Sequence, residues 1–209
     1  NTAVGYDAAK YIQHSGGNSD TDMYNTAIGH AAMFNNKQGT NNTIVGASAG
    51  YDLESSNNIA IGKYALFSED WGSNSLAIGS LALQYQNSED SDDGTGAALG
   101  SNAVYNLAIG NSAGRNVEHG TENTIVGHGS LQSASADKLD GDWNSTFGYA
   151  SGYALKGAAA SNTMLGAYAG FSQTTPAGNT MIGKSSGYHG TTGTMQTFVG
   201  FESCMRTTG

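Results

Sequence analysis

Three stretches of this chain carry the order G-x-S-x-G: Gly46–Gly50, Gly110–Gly114 and Gly183–Gly187. In a hydrolase that order sets a nucleophilic serine on a tight strand-to-helix turn, with His and Asp supplied from elsewhere. A fourth stretch, Gly178–Ser185, reads GNTMIGKS and has the spacing of a phosphate-binding loop. Such a loop works through its amides and the N-terminus of the helix that follows. Carboxylates gather at Glu89, Asp90, Asp92 and Asp93 and again at Asp137, Asp140 and Asp142. They could attract calcium, but the EF-hand order is missing. Paired carboxylates could serve glycoside hydrolysis only at a separation fixed by a rigid scaffold, which sequence does not supply. The five histidines show no metal-ligand spacing.

What must position these residues is a repeat, and the repeat explains most of the motifs away. Asn-Thr-Ala-Ile-Gly at Asn25–Gly29 recurs around Gly5, Gly46, Gly62, Gly79, Gly100, Gly110, Gly127, Gly148, Gly166, Gly183 and Gly200. The usual spacing is about 17 residues, with a few insertions and one contraction between Gly100 and Gly110. All three serine motifs fall in the same columns of that repeat, so no nucleophile is expected. The phosphate-loop match is centred on a repeat strand, so no nucleotide site is expected, and Lys184 reads as a solvated charge like Lys63. Cys204 falls in a column otherwise filled by Gly, Ala, Leu, Met and Val. It reads as a small packed residue.

The residue before each repeat glycine is large and apolar, and the third residue after it is Ala or Ser in every copy. The fifth is aromatic in seven, namely Phe34, Tyr51, Phe67, Tyr105, Tyr153, Phe171 and Tyr188. A 17-residue unit rich in glycine and β-branched residues leaves no length for an amphipathic helix and its connections. It predicts short strands joined by turns: an all-β, parallel β-solenoid or β-roll of about twelve coils. Equivalent residues then stack at ~4.8 Å, giving a rod of roughly 50 Å.

Side chains alternate faces along a strand. The large apolar position, represented by Ile28, Ile61, Ile78, Ile109 and Ile182, is expected in the repeat core. The residue before it is apolar as well in all copies but that of Thr146. Two apolar faces on one thin coil require a second cover, so a homo-oligomer packed on these strands is expected. Thr recurs three residues before the glycine (Thr2, Thr26, Thr43, Thr124, Thr163, Thr180 and Thr197) and shares a face with the large apolar column. It is therefore expected to point inward, which argues against an ice-binding surface.

Composition sets further bounds. Of 209 residues 31 are Gly, but the single Pro excludes collagen and the single Cys excludes a disulfide framework. A net charge of −9 with 8 Lys and Arg argues against a nucleic-acid or anionic-membrane partner. No apolar run is long enough for a membrane-spanning helix.

The units Asn1–Ala8, Asn25–Ala32 and Asn162–Ala169 resemble the repeats of trimeric bacteriophage tail fibres and, less closely, the head repeats of YadA-type trimeric adhesins. The YadA-type unit is shorter than 17 residues, which favours the phage branch. The resemblance implies a homotrimeric left-handed β-roll, located on a virion or otherwise extracellular, that attaches to a host cell-surface glycan or protein. Handedness and threefold symmetry are implied by the resemblance alone. The chain, 1–209, reads as one repetitive domain, expected to be a piece of a longer fibre chain, with no enzyme activity and no cofactor. A bacterial surface adhesin head and a polysaccharide-degrading tail spike are the alternatives. Inter-repeat loops near residues 12–24, 85–95 and 133–143 are expected to carry contacts, with Trp71, Asp92, Asp93 and Trp143 as candidates. Either tryptophan could stack on a sugar or cap a local hydrophobic step.

Overall fold

The computed structural model describes residues 1–12, 23–69, 72–86, 104–133, 138–189 and 192–205. Eleven three-residue strands follow one another, β1 (Thr2–Val4), β2 (Thr26–Ile28), β3 (Thr43–Val45), β4 (Ile59–Ile61), β5 (Leu76–Ile78), β6 (Leu107–Ile109), β7 (Thr124–Val126), β8 (Ser145–Phe147), β9 (Thr163–Leu165), β10 (Thr180–Ile182) and β11 (Thr197–Val199), with no helix among the described residues. They form one parallel sheet in strict chain order. Every step between neighbouring strands is one coil of a β-solenoid. Register is exact at the level of the repeat: Thr26 pairs with Thr43 and Ile28 with Val45.

The stack holds eleven strands where the sequence predicts about twelve coils. β5 (Leu76–Ile78) pairs directly with β6 (Leu107–Ile109), Leu76 opposite Leu107. No strand stands between these two in the sheet, and the residues around Gly100 lie outside those described. One correction follows for Tyr105, which was counted into the aromatic column through Gly100 and belongs to another column of the coil.

The repeat glycine is a steric requirement. Gly29 has φ +137°, and a Cβ built on it would lie 2.5 Å from the carbonyl oxygen of Gly46 on the next rung. Real side chains do not tolerate that approach, nor does an L residue favour that φ. Beyond the glycine the backbone turns through left-handed residues at the second and fourth positions, as in Ala31 (φ 50°) and Met33 (φ 53°). The intervening Ala or Ser is wholly buried in Ala32, Ala49, Ala65, Ala82, Ala113, Ser130, Ser151, Ala169 and Ser186, as expected for a corner with no spare volume.

The interior is filled by complementary sizes. Where the central strand residue is small, as at Ala60 and Ala77, the residue four after the glycine is Leu66 or Leu83, fully buried. Where the strand offers Ile44, Met164 or Met181, that position is Gly50, Gly170 or Gly187, and a Cβ there would run into the larger side chain. Volume is also shared between coils: Gly114 accompanies the small Ala108, and a Cβ there would meet Leu83 and Ile125 of the coils on either side, as dense packing demands.

A polar spine closes the other side of each strand. Asn25, Asn42, Asn58, Asn106, Asn123, Asn144, Asn162 and Asn179 are all buried. Each side-chain oxygen accepts from the backbone N–H one rung on: Asn42 N to Asn25 Oδ1 at 2.8 Å, and Asn144 N to Asn123 Oδ1 at 2.9 Å. Each amide nitrogen donates to a carbonyl of the return segment, for example Asn106 to Gly120 at 2.7 Å. At the rung where Ser75 replaces Asn, Gln86 bridges the gap, donating to Ser75 Oγ and accepting from Asn106 Nδ2, both at 2.8 Å.

Two predictions follow. Gly62→Ala, whose Cβ would sit 2.5 Å from Gly79 O, should destabilise by about 3 kcal/mol or more. Gly157→Ala, with open space around its Cβ, should lose only about 1 kcal/mol; urea titration separates them. Asn123→Ala leaves the Asn144 N–H and Nδ2 without the Oδ1 that accepts from both, and takes from the Gly141 carbonyl the nearer (3.2 Å) of its two amide donors. It should destabilise by about 2–4 kcal/mol, read from the same titration.

Candidate functional site

The catalytic-looking motifs resolve into structural corners. Ser48, Ser112 and Ser185 occupy the same left-handed position, with φ of 51°, 55° and 54°. Ser112 and Ser185 are buried, and the Ser112 hydroxyl donates to Asn111 Oδ1 at 3.0 Å. In Gly178–Ser185 the centre of the match is β10, and turns follow it where a phosphate loop requires a helix. Lys184 is exposed and lies 5.5 Å from the Phe201 ring of the next rung; Lys63 is exposed too and lies 5.0 Å from the ring of its chain neighbour Tyr64. His30 stacks on Tyr6 and His128 meets Tyr149, each ring matched with the adjacent rung. Cys204 is a partly buried thiol at a left-handed corner with φ 52°.

Burial along the strands corrects the face assignment. The central residue is buried in β2 through β10, whereas the Thr and the large apolar residue that flank it are exposed or half-buried. Ile28 (40% exposed), Ile61, Ile78, Ile109 and Ile182 therefore line the outside of the coil and are not its core. The central residue, Ala most often but also Ile44, Ile125, Met164 and Met181, takes the interior, so its two neighbours turn out together. Thr2, Thr26, Thr43, Thr124, Thr163, Thr180 and Thr197 share that outer face, reversing the inward orientation expected of them. In a single chain the result is an outward row of Thr and aliphatic side chains along the sheet, with Ser145 and Phe147 in their places on β8. Ile59, Leu76 and Leu107 make its central rungs entirely aliphatic.

A second exposed feature runs along the corner two residues before each strand. This column holds Tyr24, Asn41, Asn57, Asn74, Tyr105, Glu122, Trp143, Ser161, Gly178 and Met195, every one with φ between 49° and 69°. Asn and Gly adopt that conformation readily; bulky side chains do not. Tyr105 and Trp143 are each 58% exposed, so packing does not offset their unfavourable backbone. The Trp143 indole Nε1 donates to Glu122 Oε2 at 2.9 Å.

Around this run the rungs carry matched polar pairs. His119 Nδ1 lies 2.9 Å from Asp140 Oδ1, and Asp142 Oδ1 accepts from both the backbone N–H and the hydroxyl of Thr121, at 2.7 and 3.0 Å. Glu118, His119 and Asp140 offer ligand atoms within 4.8 Å of one another. Lys138 already binds the Glu118 carboxylate and supplies the neutralising cation. Of the residues singled out from sequence, Trp143, Asp140 and Asp142 come together here. Trp71, Asp92, Asp93 and Asp137 lie outside the described residues.

The remaining aromatics play a different part. Phe34, Tyr51 and Phe67 stack at 4.8 and 5.2 Å, and Tyr153, Phe171 and Tyr188 at 5.0 Å. Their faces cover one another, leaving edges outward. Sequence reasoning missed the corner column and the asparagine spine; the Asn ahead of each strand motif was the available signal for the spine.

The chain matches no family model, no curated protein and no solved structure.

Trp143→Asn replaces a bulky left-handed residue with one that accepts the conformation. It should raise stability by about 0.5–1 kcal/mol, measured as a shift in urea midpoint.

Proposed function

We propose that the chain is a non-enzymatic attachment segment of a trimeric extracellular fibre, most closely a bacteriophage tail fibre. The observation that carries this reading is the outer sheet face. Val4, Ile28, Ile59, Ile61, Ile109, Phe147, Leu165 and Val199 are all exposed on one flat side of a coil that is otherwise self-contained. Monomeric proteins rarely leave so long an apolar row in water. Two further copies of the same face, packed about a common axis, would bury it rung against rung. The threefold arrangement rests on the resemblance of the repeat to phage fibres.

In this reading the solenoid is a stiff carrier. Its three copies present equal sites on one particle, so weak contacts add through linkage and raise avidity without new interactions. A bacterial adhesin head would use the same architecture. The polysaccharide-degrading alternative needs a carboxylate pair held for catalysis, and Glu122, Asp140 and Asp142 are instead engaged with Trp143, His119 and Thr121. The outward Thr column gives ice binding a specific basis. Its interruption by Ile59, Leu76 and Leu107 and the bulk of Phe147 favour burial against another chain.

Sedimentation at micromolar concentration should give three times the 21.4 kDa chain mass. The double variant Ile61→Arg/Ile109→Arg should shift the population to monomer. A wild-type monomer with its sheet face open would overturn the fibre reading, and thermal hysteresis in that monomer would establish ice binding in its place. Release of oligosaccharide from host capsule by the purified chain would overturn the non-enzymatic assignment.

A further inference from the structure

We infer that Tyr105, Glu122 and Trp143 form a glycan-binding platform that takes a neutral, hydroxyl-rich oligosaccharide. The inference rests on the attachment reading and names the site through which it would operate.

The three residues hold the same corner position on consecutive rungs. Glu122 N donates to Val104 O at 2.7 Å, and Trp143 N to Thr121 O at 3.1 Å, so the spacing is that of the solenoid itself. Tyr105 and Trp143 are thus separated by two rungs, about 10 Å, with a carboxylate between them. That is the span of about two linked sugar rings. Alternating C–H faces of a pyranose pack on exposed aromatic surface, and its hydroxyls donate to a carboxylate placed between the rings.

Three observations separate this run from ordinary surface. The first is conformational. Met33, Leu66, Leu83 and Leu131 are also large and left-handed, but they are fully buried and contribute to the core. Tyr105 and Trp143 accept the same conformation while more than half exposed; Tyr24 and Met195 of the same column do so too, but only Tyr105 and Trp143 stand two rungs apart with a carboxylate residue on the rung between. Bulky residues in sparsely populated backbone regions concentrate at functional sites. The second is orientation. The bond from Trp143 Nε1 to Glu122 Oε2 fixes the indole and leaves the second carboxylate oxygen, Oε1, for a ligand hydroxyl. A ring held in place before binding loses less entropy when a ligand arrives. The third is the free ring face: the stacked aromatics elsewhere on the rod cover one another, whereas no described ring lies against Tyr105 or Trp143.

Charge selects among sugars. Glu122 bonds the Trp143 indole and Asp142 precedes it in the chain, while Glu118 and Asp140 lie on the same two rungs as Glu122 and Trp143, Glu118 paired with Lys138. On a chain of net charge −9, sialylated, uronic-acid or phosphorylated glycans would be repelled. A neutral hexose or N-acetylhexosamine chain would not.

The test uses the purified chain in its native assembly on an array of neutral hexose and N-acetylhexosamine oligosaccharides beside sialylated and uronic-acid ones. Binding should be confined to neutral spots. Tyr105→Ala and Trp143→Ala should each weaken it on the order of tenfold or more, and Glu122→Gln by a few-fold. Tyr24→Ala, in the same column on a distant rung, should bind as wild type. Circular dichroism and sedimentation establish that each variant keeps its fold and assembly. No neutral spot bound, anionic spots preferred, or full binding by Trp143→Ala would each overturn the platform. A parallel assay on a panel of bacterial cells tells the two readings apart. Wild type and Trp143→Ala binding cells equally removes the platform and leaves attachment standing. Loss of wild-type cell binding after protease treatment of the cells, with Trp143→Ala binding untreated cells as wild type does, points to a protein receptor and also removes the platform. Wild type binding no cell while still binding neutral spots removes attachment alone.

Discussion

The contact on which this molecule depends is one between backbones: on each rung a carbonyl oxygen occupies the place where the preceding rung's repeat glycine would carry a side chain. That approach fixes how closely coils stack and which residue lies over which. In-register strands follow, and with them the columns of alanine, asparagine and stacked aromatic rings. Because each column sees only itself above and below, a residue type suited to one rung suits its neighbours. The sequence repetition is the record of that constraint.

A coil so narrow has little interior, and this divides its surface. The central strand residue fills that interior, alanine in four of the nine strands β2 to β10 and Ile, Thr or Met in the others, and the aliphatic residue beside it is turned outward onto a continuous face. Corners, by contrast, are set by left-handed backbone and tolerate exchange of side chains as long as the φ angle is met. One side of the rod is thereby suited to a regular, self-complementary surface. The other can vary from rung to rung.

Much of this was legible from residue spacing. The glycine and Ala/Ser columns, the short strands and the parallel coil all follow from a 17-residue period too short for a helix. Which strand face turned inward did not follow. Period two says that Thr26 and Ile28 share a side, but the side is decided by interior volume, which depends on the return segment carrying Leu66 or Gly50. The unit at Gly100 was indistinguishable by its own residues from a true rung, because membership of the sheet depends on β5 meeting β6. Tyr105 and Trp143 were hidden for a related reason. Nothing about an aromatic residue signals left-handed backbone, and only the Asn41, Asn57 and Asn74 of earlier rungs hinted at that corner.

The direction of the hydrogen bonds has a mechanical corollary. From Gly46 N to Ile28 O, and from Asn42 N to Asn25 Oδ1, the bonds between rungs run along the rod. Tension applied between the ends therefore loads successive rungs in series, and the weakest would yield first while the others stay shut. A single chain would extend in small, separate steps and behave as a compliant tether. Strands bundled side by side would share each step and turn the same geometry into a spring.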